Sequence, residues 1–178
     1  MHIIRHQILQ DLSRTVGETV NFVVPEPDGM NYIDRVETDW AFRIQLPVGS
    51  RVPFHCTASG KCFLASLQRK KREALVATLN LSEETPYSHT KPETLLAELN
   101  QVAKQGYALD REEFLLHMVA ISVPVRNPIG GFVGAVSFHG PTQRMSIDSA
   151  TEQLPKLQAT SAKLSNALFA ESDNENGM

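Results

Sequence analysis

Apolar side chains recur at Ile4, Ile8, Leu12 and Val16, with Ile3 and Leu9 beside them. That spacing keeps one face of a helix apolar, and Gly17 follows where a helix stops. Thr19-Val20-Asn21-Phe22-Val23-Val24 is β-branched and aromatic and reads as a strand, closed by the turn chemistry of Pro25-Glu26-Pro27-Asp28-Gly29. Met30 to Val36 and Ala41 to Leu46 read as the next two strands, and the three together predict an antiparallel meander. Helical spacing returns from Ser59 to Leu67 and from Arg69 to Leu79, and the polar segment Ser82 to Pro92 reads as loop. Glu93 to Gln105 gathers Leu95, Leu96, Leu99, Val102 and Ala103 on one face, with Gly106 placed for a left-handed C-cap.

Two strands follow. Val119 to Val125 alternates, Asn127-Pro128-Ile129-Gly130-Gly131 supplies a hairpin connection, and Phe132 to His139 returns. The last helix carries Leu154, Leu157, Leu164 and Leu168 and starts near Ser149-Ala150-Thr151-Glu152, which has the form of a capping box. Pro155 predicts that this helix comes in two pieces. The order helix, three strands, helices, two strands, helix indicates an α+β domain with a largely antiparallel sheet.

Composition narrows the class. The chain has 178 residues, enough for one domain with a proper core, and its apolar and charged shares (42% and 21%) are those of a soluble globular protein. No apolar run approaches the roughly 20 residues a membrane span requires, and no secretory signal is present, which places the chain in the cytoplasm with no membrane partner. A net charge of -3 argues against the domain holding a nucleic-acid backbone by itself. The basic run Arg69-Lys70-Lys71-Arg72 reads as a solvated helix end. Cys56 and Cys62 read as free thiols of a reducing compartment.

Candidate chemistry concentrates in Pro53-Phe54-His55-Cys56-Thr57-Ala58-Ser59-Gly60-Lys61-Cys62, where small and hydroxyl-bearing residues run directly into a helix. A helix N-terminus presents unpaired N–H groups and the positive end of the helix dipole, which suits a small anion, most simply a carboxylate. The alternative is that Ser59 or Thr57 merely caps the helix. Phosphate-loop spacing fails, because His55 stands where the first glycine is required and Cys62 follows the lysine. Ser59 is not in a nucleophile elbow. His55, Cys56, Cys62, His89, His117 and His139 are scattered and lack the paired spacing of a zinc site, so neither a metal nor a cofactor is expected.

Three segments, taken in order, resemble the effector-binding domain of the IclR family of bacterial transcriptional regulators. Leu46-Pro47-Val48-Gly49-Ser50-Arg51-Val52-Pro53-Phe54-His55 leading to Thr57-Ala58-Ser59-Gly60-Lys61 is similar to that family's pocket loop. Gly106, Asp110, Glu113, Ala120, Ile121, Ser122, Val125 and Asn127 match the spacing of its signature segment, and Gly134-Ala135-Val136-Ser137-Phe138-His139-Gly140-Pro141 follows. The resemblance spans about residue 5 to residue 170. It departs from the family at His117, where many members have glycine, and at Arg126, usually aromatic or His.

The resemblance implies a GAF-like fold, a curved and mostly antiparallel sheet flanked by helices with a pocket on its concave face. Residues 1–16 then form the end of a connecting helix, residues 17–170 the sensor domain and residues 171–178 a disordered tail. The expected function is sensing of a small organic acid and self-assembly into dimers or tetramers, with DNA reached only through a separate N-terminal winged helix-turn-helix absent from this chain. The implied ligand contacts are Ala58, Ser59 and Gly60 through their amides, Asp110 through its carboxyl group, and Ala120 as a lining position. Ser137 and His139 lie on one side of a strand and either reach the pocket or form a surface pair. Ile44 and Val52 either supply apolar wall or are plain core. The chain is not expected to be an enzyme; the alternatives are a GAF-like enzyme using pocket cysteines and a ligand-independent assembly module.

Overall fold

The computed structural model describes residues 2–41 and 46–170. Helix α1 (His2–Val16) ends at Gly17, whose φ of 74° is one that glycine adopts without strain. Strands β1 (Thr19–Glu26) and β2 (Gly29–Val36) form a hairpin, and β3 (Arg51–Val52) pairs with the start of β2. Helices α2 (Ala58–Ser66), α3 (Arg69–Thr78) and α4 (Pro92–Gln105) follow. Strands β4 (Ala108–Arg111), β5 (Met118–Arg126) and β6 (Phe132–Pro141) complete a six-stranded sheet of order β3-β2-β1-β6-β5-β4. Its recorded pairings are all antiparallel. Helices α5 (Ile147–Glu152) and α6 (Leu154–Phe169) end the described chain.

The α+β class and curved antiparallel sheet expected from the sequence are what the chain adopts, and four details differ. The turn between the first strands is tighter than Pro25–Gly29: β1 runs through Glu26, and Pro25 pairs with Met30. Strand β6 accompanies β1 only as far as Val23, so among the described residues Pro25 lies where one side of the strand has no neighbour and a missing N–H is tolerated. Residues 42–45 of the expected third strand lie outside the described residues; Leu46 is not in a strand, and among the described residues the third strand is Arg51–Val52. Strand β4 was not expected, being too short to show alternation. The capping box sits three residues early: Ser146 and Ser149 each take the other's backbone N–H, at 3.0 and 2.9 Å, while Glu152 ends α5. The interruption expected from Pro155 falls at Gln153, between α5 and α6.

The sheet separates two apolar cores. Val20, Phe22, Val119, Ile121, Val123, Val136 and Phe138 face Leu9 and Leu12 of α1 and Leu157 and Leu164 of α6. Because side chains alternate along a strand, Ala108 and Ala135 point the other way, toward Cys62 and Leu64 of α2 and Leu95 and Leu99 of α4. On that second face the row of paired residues Asp110, Ala120 and His139 crosses three strands, with Ser122 and Ser137 paired in the next row. Polar residues on a covered sheet face are costly unless something uses them.

Candidate functional site

The site is assembled where α2 begins against this polar row. Thr57 is the N-cap, extended at φ −113° and ψ 148°, and its Oγ1 accepts from the Gly60 N–H at 3.1 Å while donating to the Pro53 carbonyl at 2.7 Å. The Gly60 amide is therefore already engaged. Glycine serves here for close approach: a Cβ at position 60 would lie 2.4 Å from the Phe54 carbonyl oxygen. The Ala58 and Ser59 amides occupy the first turn, where no carbonyl of the same helix can reach them. Lys61 N–H closes the first helical bond to Thr57 O at 3.0 Å.

Ala58 and Ser59 border a small, partly open cavity with Thr57, Tyr32, Asp110, Phe114, Met118, Ala120, Ser137 and His139. Its volume is about 20 Å³, room for about one water molecule, so a larger occupant requires the walls to move. Of the residues singled out in the sequence, Ala58, Ser59, Asp110, Ala120, Ser137 and His139 come together around it. Gly60 stands behind the lining, and Val52 is buried in the α2-side core with Met30 and Phe54. Ile44 lies outside the described residues. Tyr32, Phe114 and Met118 were not singled out. Tyr32 carried only the alternation of its strand, Phe114 reaches the cavity from the connection between β4 and β5, which has no readable period, and Met118 is the first residue of β5.

The electrostatics of the cavity are set by burial. Asp110 is 1% exposed, and desolvation, then the Glu113 charge, push its carboxyl group up to about 7. Its Oδ1 accepts the Glu113 N–H at 2.7 Å. Burial holds the Tyr32 phenol protonated, its pKa pushed up to about 12. Burial, then the Arg35 charge, lowers the His139 imidazole to about 3, so the ring is neutral. Both cysteines are buried; burial raises the Cys62 thiol to about 12 and the Cys56 thiol also moves up, which leaves neither as a thiolate nucleophile.

Next to the cavity is a buried ion network. Lys61 is fully buried, and its Nζ donates to Glu98 Oε1 at 2.6 Å and to both Glu113 oxygens at 2.8 and 2.7 Å. His89 Nε2 bonds Glu98 Oε2, and the Arg111 N–H donates to Glu113 at 3.0 Å. Burial would raise the Glu98 pKa, but the bonds from His89 and Lys61 outweigh it and hold the carboxylate down at about 2. Two groups among the described residues have the composition of a metal site, His89 with Glu98 and Glu113, and His2 and His6 with Asp34. Each already contains a basic side chain: Lys61 bridges the first pair of carboxylates, and Arg5 Nε donates to Asp34 at 2.8 Å in the second. The basic run also differs from the solvated helix end expected. Arg69, Lys70 and Lys71 are exposed, but Arg72 is buried and donates to the carbonyls of Leu64, Ala65 and Leu67 at the end of α2.

Residues 1–166 match the family described as bacterial transcriptional regulator IclR C-terminal. The chain belongs to the IclR family. SauR of Cupriavidus necator, described as a probable transcriptional regulator, is 40% identical over 154 residues, which span 86% of this chain and 61% of SauR. The transcriptional repressor AllR of Escherichia coli K12 is 30% identical over 152 residues, 85% of this chain and 56% of AllR. The chain thus spans little more than half the length of these curated relatives. Among solved structures, the IclR protein of Thermotoga maritima is similar over 94% of this chain and 68% of its own, with a TM-score of 0.87 at 29% identity. The inducer-binding domain of PobR from Acinetobacter, a double mutant in complex with 3-hydroxybenzoic acid, matches over 94% of this chain and 98% of its own, with a TM-score of 0.86 at 28% identity. These relatives are regulators rather than enzymes, and no described helix is long and apolar enough to cross a membrane.

Proposed function

We propose that this C-terminal IclR domain senses a small organic acid between the start of α2 and the sheet. The observation that carries this reading is that Ala58 and Ser59, whose amides are unusable within their own helix, line a small cavity with polar walls. A carboxylate there meets two N–H donors and the positive end of the helix dipole. The complex of the similar PobR inducer-binding domain with an aromatic hydroxy acid supports the ligand class. Because the cavity holds about 20 Å³, an acid binds only a more open arrangement of Phe114 and Met118, and that differential affinity is what a sensor needs. Residues 1–16 act as the end of a connecting helix, and the ligand state passes through assemblies of two or four copies to a DNA-reading module outside residues 17–170.

A thermal-shift screen of small organic acids tests this, since a ligand that binds only the folded state raises its melting temperature. Ala58→Pro removes one of the two donors at a helix position that proline tolerates, after a residue already extended. The shift given by a hit is expected to disappear in the folded Ala58→Pro protein. An unchanged shift would refute the amide cradle.

A further inference from the structure

His139 is 5% exposed and borders the cavity from β6. Its Nδ1 lies 3.1 Å from Asn21 Nδ2, while its Nε2 is buried without a hydrogen-bond partner. Which ring nitrogen carries the proton follows from the next residue in the chain of contacts. A guanidinium can only donate, and Arg35 Nη1 donates to Asn21 Oδ1 at 3.3 Å. With Oδ1 so engaged, Asn21 turns its NH2 group to His139, and Nδ1 of the ring must accept. The reversed amide would set NH2 against guanidinium, two donors with nothing between them to accept. The neutral ring therefore carries its proton on Nε2, the nitrogen left without a partner.

We propose that Arg35 and Asn21 are positioning residues that lock His139 as an Nε2–H donor toward the cavity, so that the ligand presents, besides its carboxylate, an acceptor oxygen from a carbonyl or second acid group. The second half rests on the acid-sensing reading given above; the first does not. A buried donor without a partner is costly, and a ligand oxygen relieves that cost where an alkyl group cannot. Asn21 is itself fully buried in β1, the strand beside His139, which keeps the relay out of competition with water.

Long-range 1H–15N correlation spectra of the labelled, ligand-free protein read the tautomer directly. The expected pattern for His139 is a protonated Nε2 and an unprotonated Nδ1; the opposite assignment overturns the proposal whatever the protein binds. Asn21→Asp replaces the donor facing Nδ1 by an acceptor, and above neutral pH it is expected to move the ring proton to Nδ1. A folded Asn21→Asp protein that keeps the proton on Nε2 removes the relay. Calorimetry then compares pyruvate with isobutyrate, in which an alkyl branch replaces the ketone. Pyruvate is expected to bind at least about tenfold more tightly, and equal affinities contradict the acceptor requirement. If neither these acids nor any other small acid binds while the tautomer is as expected, the relay stands and the acid-sensing function falls. Should Asn21→Asp fail to fold, the wild-type tautomer and the pyruvate comparison still decide.

Discussion

Asp110 gives the cavity its response to pH. Its folded-state pKa is raised to about 7, so between the ordinary value of 3.8 and about 7 the folded protein keeps a proton that the unfolded chain has released. Its contribution to stability therefore falls as pH rises through that window and is level above it. An anion bound beside the same carboxyl group favours its protonated form further. Affinity for a small acid is expected to fall as pH rises past 7, by up to about tenfold per pH unit, and Asp110→Asn should flatten the profile. Calorimetric titration on both sides of neutrality checks this; a profile unchanged in Asp110→Asn would place Asp110 outside the binding equilibrium. At this scale the sequence was informative where a residue's neighbours in the chain settle its place. Ala58 and Ser59 follow from the helix start, and Ser137 and His139 share a strand face because they are two apart. Tyr32, Phe114 and Met118 could not be found this way, because the cavity joins elements distant in sequence. The relay from Arg35 through Asn21 to His139 depends on the registers in which β2 and β6 both pair with β1.

Helix α2 is the element on which the site depends, and its internal residues divide between shape and charge. Gly60 permits the approach to Phe54, and Lys61 neutralises two carboxylates from α4 and from the segment after β4. Lys61→Met leaves Glu98 and Glu113 buried without their cation and is expected to cost about 3–5 kcal/mol in urea denaturation. A loss under about 1 kcal/mol would mean that His89 and Arg111 suffice. The sequence offered Lys61 only as a phosphate-loop lysine that failed its spacing test; nothing local marks a lysine whose partners lie 37 and 52 residues away. Arg72 was hidden in the same way inside a basic run whose other members are exposed. Helices with a continuous apolar stripe, such as α1 and α4, were readable nearly to the residue. The two-residue β3 and the four-residue β4 were not, because periodicity needs more positions than they have.

For the whole molecule, the order of elements and three family segments were enough to give the architecture, since alternation along each strand assigns one face to α1 and α6 and the other to α2 and α4. What the order could not give is which cavity matters. A far more spacious groove, about 580 Å³, lies elsewhere, between the end of α1 and Val36 to Trp40. It lacks a helix start, whereas the small cavity combines first-turn amides, a buried acid and a neutral imidazole. We propose that a small acid binds at the smaller one. Amide 1H–15N spectra recorded while a thermal-shift hit is titrated test it most directly. With the acid in the small cavity, the Ala58 and Ser59 amide protons are expected to move downfield together, as donors to a carboxylate do, with His139 responding and Gln10, Ser13 and Trp40 unmoved. Saturable shifts confined to the groove at Trp40, with Ala58 and Ser59 unchanged, would contradict it.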